Sequence, residues 1–371
     1  MLSRALILLS LLFAGLPAYA QADLTPYTAR RIAPGVHLLA TPPEYRGAAT
    51  GNITIIEQSR GVVVIDSGLT RADGRRAVDY VRSITRLPVT AVIYTHWHND
   101  HPQGASEISA AWPRVRVIST AATARTLRGA RMLRYISLRP DERMETLFLN
   151  QAAGSIANAQ TQQRNPQLDE ATRMRWARVE RDMRQRTVDF RGTYLVLPTE
   201  TFTRELLLDD PVRPVRLIHP GRANTDGDAI AWLPNERIVV TGDIVVAPTP
   251  YGFFSFPGDW LRALDRIRAL GFRTLIPGHG EPQTDSVYID RLTATLTDLR
   301  AQIAPLARQG LSLEEVRQRV NWDAQRAVFG DTPRNRALFD AFWLTPMTIN
   351  TWREARNEPF EQGDETLYPD N

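Results

Sequence analysis

Short apolar runs rich in β-branched residues recur along the chain, separated by breaks that contain Gly, Pro, Asn or Asp. Residues 51–58 and 61–66 come first, the second reading GVVVID, and residues 89–94 (VTAVIY) follow. Runs this continuous predict core strands buried on both faces. Between them, residues 71–85 place Ala77, Val81 and Ile84 at helical spacing among Arg and Asp, which predicts an amphipathic surface helix ending before Pro88. From 121 to 191 the composition turns to Arg, Gln, Glu, Asn and Met, the pattern of a helical insertion. Strand signals resume in TYLVLP (193–198), VRLIHP (215–220), DAIAWLP (228–234) and RIVVTGD (237–243). Trp260, Leu264 and Ile267 then mark a helix stopping near Gly271, and TLIPGHG (274–280) reads as a last short strand. Beyond Glu281 the chain reads as helical, with a Ser312/Glu315 capping box and Pro333 at the first turn of a helix.

The first 20 residues follow a different logic. Arg4, an apolar run to Leu16 and the small residues of Ala18-Tyr19-Ala20 have the layout of a secretory signal, with cleavage expected after Ala20. The expected organisation is therefore a signal peptide (1–20), an α/β domain (21–285) carrying the insertion at 121–191, and a helical extension (286–371). A periplasmic or secreted location follows, with no membrane association after cleavage. Cysteine is absent, so no disulfide supports the fold. Lysine is absent too: all 45 basic residues are arginine, which excludes Schiff-base chemistry. The net charge of +4 is spread among interleaved acids, so no nucleic-acid partner is expected.

The candidate chemistry sits directly after the VTAVIY strand. Of six histidines, His96, His98 and His101 fall together, with Asp100 between the last two. Neutral imidazoles and carboxylates are ligands for zinc and similar divalent ions, and an i, i+2 histidine pair on an extended strand end can aim at one ion. His37 lies in a strand-like run with no acid or histidine beside it and reads as structural.

His96-Trp97-His98-Asn99-Asp100-His101 resembles the HxHxDH motif of the metallo-β-lactamase superfamily. The resemblance extends, in order, to Asp66 in VVVIDSG, which looks like the family's site-organising aspartate. Asp243 in VVTGD resembles its bridging ligand, and His279 in IPGHG its final ligand. It implies a four-layered αββα sandwich with metals at one edge. One departure stands out: RANTDGD puts Asn224 where the family usually supplies a third histidine to the first metal site. An amide oxygen is a weaker ligand, and His219, five residues upstream, is the other residue that could complete that site. The second site keeps Asp100, His101, Asp243 and His279.

The resemblance implies one or two zinc ions, with iron as the other metal, and a metal-bound hydroxide as nucleophile. A bound divalent ion lowers the pKa of its water toward about 7. Asp100 is the candidate catalytic carboxylate. The expected activity is hydrolysis of an amide, lactone or ester of a small molecule, β-lactams included. The alternatives are a mononuclear iron oxidoreductase resembling persulfide dioxygenases and a non-catalytic metal-binding protein. Trp97, Tyr251 and Phe253 are candidate substrate-binding residues, the latter two from the aromatic stretch after Asp243. The insertion and C-terminal helices are candidates for covering the cleft or for a dimer contact.

Overall fold

The computed structural model describes residues 27–364 apart from Arg131 and Tyr135, so the expected signal peptide lies outside the described residues. Twelve strands form two mixed sheets. The first runs in chain order through β1 (Thr28–Ala33), β2 (Val36–Ala40), β3 (Ile53–Glu57), β4 (Val62–Ile65), β5 (Val89–Ile93), β6 (Arg116–Thr120) and β7 (Glu200–Phe202). It is antiparallel up to β4 and parallel beyond. The second contains β8 (Glu205–Leu208), β9 (Val215–Ile218), β10 (Ile230–Leu233), β11 (Ile238–Val240) and β12 (Thr274–Ile276), with only β11 and β12 parallel.

Strand alternation divides the apolar residues among three cores, and three cores make four layers. In β4, Val62 and Val64 pack outward against Ala77, Val78 and Val81 of helix α1 (Arg71–Ile84). Val63 and Ile65 face inward, where they meet Leu217, Ala231 and Val240 of the second sheet. On the far side, Trp232 and Val239 pack under Trp260 and Leu264 and under the C-terminal helices. The strands read as unbroken apolar runs because both of their faces are covered.

The remaining helices are α2 (Ala105–Ala111), α3 (Ala121–Leu127), α4 (Glu142–Gln163), α5 (Glu170–Asp189), α6 (Pro257–Ala269), α7 (Val287–Arg308), α8 (Leu313–Arg319), α9 (Asp323–Phe329), α10 (Pro333–Phe339) and α11 (Thr345–Ala355). The Ser312/Glu315 capping box forms, and Pro333 sits in the first turn of α10. No described helix is long and apolar enough to cross a membrane. TYLVLP is not a strand. The Leu195 N–H donates to Ser137 O, Val196 O accepts from the Tyr94 hydroxyl and Pro198 O accepts from Arg128, so its polar groups serve loop partners. Pairing to β6 begins only after Pro198, at Glu200.

Helices α4 and α5 pack as a pair, with Gln160 and Gln163 both donating to Glu180. The pair is fastened to the sandwich by Arg186, which is fully buried. Its Nη1 and Nη2 each donate to the Asp73 carboxylate at 2.9 Å, and Nη1 reaches Asp189 at 3.3 Å. Asp73 already belongs to the Thr70 capping box that starts α1. It also accepts from Thr50, the neighbour of Gly51, and Gly51 N–H donates to Asp100 O. Removing one partner of a buried pair strands the other charge. Arg186→Met should therefore lower the unfolding free energy by about 3–5 kcal/mol in urea denaturation, and a loss below about 1 kcal/mol would refute the role given to this clasp.

Candidate metal centre

Two strand ends and two returning loops bring the site together. β4 ends at Asp66, which adopts φ 59°, a left-handed conformation rare outside Gly, Asn and Asp. That turn aims its carboxylate across the end of β5. There Oδ1 accepts from Thr95 N at 2.8 Å, while Oδ2 accepts from Thr95 Oγ1 at 2.8 Å and meets His101 Nδ1 at 2.7 Å. With Nδ1 engaged, His101 presents Nε2 to the site. Asp243 arrives on the helical turn after β11, and His279 on the loop after β12. Gly278 permits this approach, because a Cβ there would sit 2.0 Å from Asp243 Oδ1.

Two groups of metal-binding side chains result: His96, His98 and Asp243, and Asp100, His101 and His279. In the first, His96 Nε2 is 2.9 Å from His98 Nδ1, and Asp243 Oδ2 lies 3.5 and 3.8 Å from those atoms. In the second, His279 Nε2 is 3.1 Å from Asp100 Oδ2, and His101 Nε2 is 3.9 Å from Asp100 Oδ1. Asp243 Oδ1 reaches into this group, at 3.2 Å from His101 Nε2 and 3.5 Å from His279 Nε2. Asp243 thus touches both clusters with different oxygens.

The residues present fit a divalent cation. Ligand atoms about 2.1 Å from a tetrahedral ion lie about 3.4 Å from each other, and the separations above bracket that spacing. His101 Nε2 and Asp243 Oδ1 are buried without a hydrogen-bond partner, a costly state that a bound cation would relieve.

The charges agree with such a role. Burial, reinforced by the charge of His101, pushes the His96 imidazole down to about 4, so it is neutral and ligand-competent at physiological pH. Burial alone would lower His101 too, but Asp243, Asp66 and Asp100 outweigh it and raise His101 well above the ordinary histidine range. For Asp100, burial acts to raise the carboxyl, and His101 and His279 reverse this, holding it below the carboxylate range. Asp243 is likewise held down by His101, His279 and His96 against the effect of burial.

Asn224 is brought to the first cluster. It is fully buried, its Nδ2 lies 3.4 Å from His98 Nδ1, and its Oδ1 has no hydrogen-bond partner. The turn that carries it is clamped by Asp228, whose carboxylate accepts from Ala223 N, Thr225 N and Thr225 Oγ1. His219 goes elsewhere: its Nδ1 meets Asp228 O at 2.7 Å, and its ring lines a second cleft. His37 is engaged by Tyr80 and, across the strand pair, by Glu57.

The metal clusters open into a cleft of about 1460 Å³. Trp97 and Tyr251 line it. Phe253 does not. It backs Tyr251 with ring centroids 5.2 Å apart, and Phe254, at φ 61°, takes the lining position. Phe254 belongs to the aromatic stretch that the sequence places beside Asp243, whereas sequence reasoning missed Phe342 of the C-terminal region and Leu147 and Phe148 of α4, all cleft-lining. Helical spacing marks the last two as apolar without saying what they face.

A sandwich with paired imidazole and carboxylate clusters at one edge, sharing an aspartate, forms a candidate metal centre at the mouth of a cleft. The family model described as the Metallo-beta-lactamase superfamily matches residues 46–279, well over half of the chain, and the chain belongs to that superfamily. Among curated proteins it is similar to a linear primary-alkylsulfatase from Pseudomonas sp. (strain ATCC 19151), 22% identical over 307 residues, covering 77% of this chain and 52% of that protein. An (R)-specific secondary-alkylsulfatase from Pseudomonas sp. is 41% identical over 66 residues, covering 18% of this chain and 10% of its own. The chain thus spans about half the length, or less, of the curated relatives it matches. The solved structure of a stereoselective inverting sec-alkylsulfatase from Pseudomonas sp. superposes with a TM-score of 0.57 at 16% identity, covering 93% of this chain and 52% of that one.

Metal and proton compete for His101 Nε2. The carboxylates around His101 favour its protonated form, so metal loading works against that proton and should strengthen as pH rises. Apparent affinity, measured by chelator competition between pH 6 and 8, should fall by about tenfold per unit of acidification for each proton displaced. A pH-independent affinity would contradict the assignment.

Proposed function

We infer that this protein is a metal-dependent hydrolase acting on an anionic ester of an apolar alcohol, with an alkyl sulfate as the favoured substrate class. The observation that carries the reading is a single cleft that joins both metal-ligand clusters to an aromatic wall and an arginine-rich rim. Arg46, Arg175, Arg291 and Arg334 all line it, and among the described residues none of their guanidinium groups forms a salt bridge with a carboxylate. Other arginines of the chain do hold acids, as Arg71 does Glu107, Arg116 Glu200 and Arg213 Glu236. Burial and the nearby charge of Arg46 lower Arg334, the mark of cations gathered without counter-ions. The rim acids Glu281 and Asp331 are taken by Arg30 and Asn335. A neutral lactone or amide would draw nothing from such a rim, whereas a sulfate monoester would. The two alkylsulfatase relatives support the same class.

Zinc is the metal we assign, on the imidazole and carboxylate donor set. An ion held here supplies Lewis acidity, acidifying water and stabilising charge that develops on the ester oxygens. The chain's own groups do the rest. Asp100, kept ionised by His101 and His279 and partly open to the cleft, accepts a hydrogen bond from the attacking water and orients it. Trp97, Tyr251 and Phe254 take the apolar group and exclude water, and the rim arginines hold the anion. Asn224 completes the first cluster through Oδ1, which a half-turn of the amide brings to the place of Nδ2. Two clusters sharing Asp243 weigh against a mononuclear iron oxidoreductase. The chain is taken to be exported, on the Arg4, apolar-run and Ala18-Tyr19-Ala20 pattern.

The test is a panel of alkyl sulfates, alkyl carboxylate esters, lactones and β-lactams offered to metal-loaded protein. Alkyl sulfates should show the highest kcat/KM, and Arg334→Ala should raise KM for them more than it lowers kcat. Turnover of lactones or β-lactams without sulfate release would reject the substrate class, and iron near one equivalent with oxygen consumption would reject the hydrolase. Asn224→His should raise metal content toward two ions per chain by elemental analysis; unchanged stoichiometry would remove Asn224 from the first cluster.

A further inference from the structure

A second cleft of about 1220 Å³ lies beside the metal cleft, and the C-terminal segment 359–363 runs between them. Phe360 and Gln362 line the second cleft, Gly363 lines the metal cleft, and Met132 lines both. One side-chain amide ties the partition to the site loops. Gln362 Oε1 accepts from Trp97 Nε1 at 3.0 Å and from Asp226 N at 3.4 Å, and Gln362 Nε2 donates to Phe254 O at 3.0 Å. These three partners sit on three separate site loops: the one with His96 and His98, the one with Asn224, and the aromatic stretch after Asp243. Two of them, Trp97 and Phe254, are the rings that wall the metal cleft, and their centroids are 5.3 Å apart.

The segment has its own anchors. Phe360 stacks on Phe256 with centroids 5.2 Å apart, and Arg353 Nη2 donates to Pro359 O at 3.0 Å. Gly363 turns the chain at φ +76°, where a Cβ would press within 3.1 Å of Met132 Sδ.

We propose that residues 359–363 form a strap that closes the end of the substrate cleft and sets the length of apolar chain it accepts, with Gln362 as the positioning residue that fastens it. The proposal rests on the anionic-ester reading above for the identity of the ligand. With the strap fastened, Trp97 and Phe254 are fixed, and the metal cleft ends at the strap. With it loosened, the two clefts become continuous past Met132, and a longer apolar chain finds additional surface.

Alkane-1-sulfonates test this directly, because they carry the anion and the alkyl chain but no cleavable ester bond. Binding of hexane-, octane-, decane- and dodecane-1-sulfonate to the metal-loaded full-length protein would be measured by calorimetry below micelle-forming concentrations. Each buried methylene strengthens binding by about fourfold, so wild-type affinity should climb with chain length and then level off where the chain meets the strap. In Gln362→Ala and in Phe360→Ala the climb should continue, raising the dodecane-to-octane affinity ratio by at least about tenfold over wild type. Gln362→Glu keeps the acceptor for Trp97 and Asp226 but sets a carboxylate oxygen against Phe254 O in place of the donor, and should lift the cut-off as Gln362→Ala does. Metal content should be unchanged in all three, which separates the strap from a general loss of structure. Trp97→Phe removes the indole donor from the other side and should move the cut-off in the same direction. An equal shift at every chain length, or an unchanged ratio, would overturn the strap. Absence of binding at every length in wild type and variants, with metal fully loaded, would overturn the anionic-ester reading and the strap's selectivity with it.

Discussion

Asp243 is a single buried carboxylate that must serve two clusters at once, and much of the architecture follows from that demand. Its Oδ2 faces His96 and His98 while its Oδ1 faces His101 and His279. Holding such an anion away from water is costly unless the surrounding groups compensate it. Compensation comes from imidazoles, which are themselves buried and need orienting. Asp66 orients His101, Thr95 Oγ1 lies 2.9 Å from His96 Nδ1, and the backbone of Thr95 is tied to Asp66 in turn. Close glycine approaches at Gly278 and Gly51 leave the room these rings and carboxylates require. The sandwich supplies what a loop alone could not, namely rigid strand ends that fix the starting point of each returning loop.

The segments beyond the sandwich are fastened beside this centre. Helix α5 reaches Asp73 through Arg186, and the same Asp73 is linked through Thr50 to the neighbourhood of Gly51 and Asp100. On the opposite side, the C-terminal segment reaches Trp97, Asp226 and Phe254 through Gln362. Both attachments are polar and specific: the first is linked to the cleft through Thr50, and the second bonds the cleft-lining residues Trp97 and Phe254. The insertion thus contributes an apolar wall and an arginine, Arg175, while the C-terminal helices contribute Phe342 and Arg334. These additions supply much of the cleft lining, while the strand-end residues form the metal-ligand clusters.

Much of the scaffold was legible along the chain. Continuous β-branched runs marked β3, β4 and β5, helical spacing marked α1, and local capping signals at Ser312 and Pro333 matched real helix starts. These succeed because periodicity and capping are short-range, set by residues within a turn or a strand of each other. TYLVLP carried the composition of a strand and became a loop, since no ladder partner was in reach before Pro198. The HWHNDH run declared metal chemistry by density of ligands alone, and its resemblance to a known family supplied Asp243 and His279 as partners.

The sequence by itself determined the layered α/β class, the strand that delivers the histidines and the kind of chemistry they can support. Tertiary structure decided that both oxygens of Asp243 are used, that Asn224 rather than His219 stands beside His98, and that Phe254 rather than Phe253 lines the cleft. It alone brought Arg186 to Asp73 across 113 positions and Gln362 to Trp97 across 265. The reason is physical: a local pattern fixes which face of an element is apolar. Which distant polar groups meet depends on strand register, loop direction and backbone angles such as the positive φ of Asp66 and Phe254, and these are set only when the layers pack.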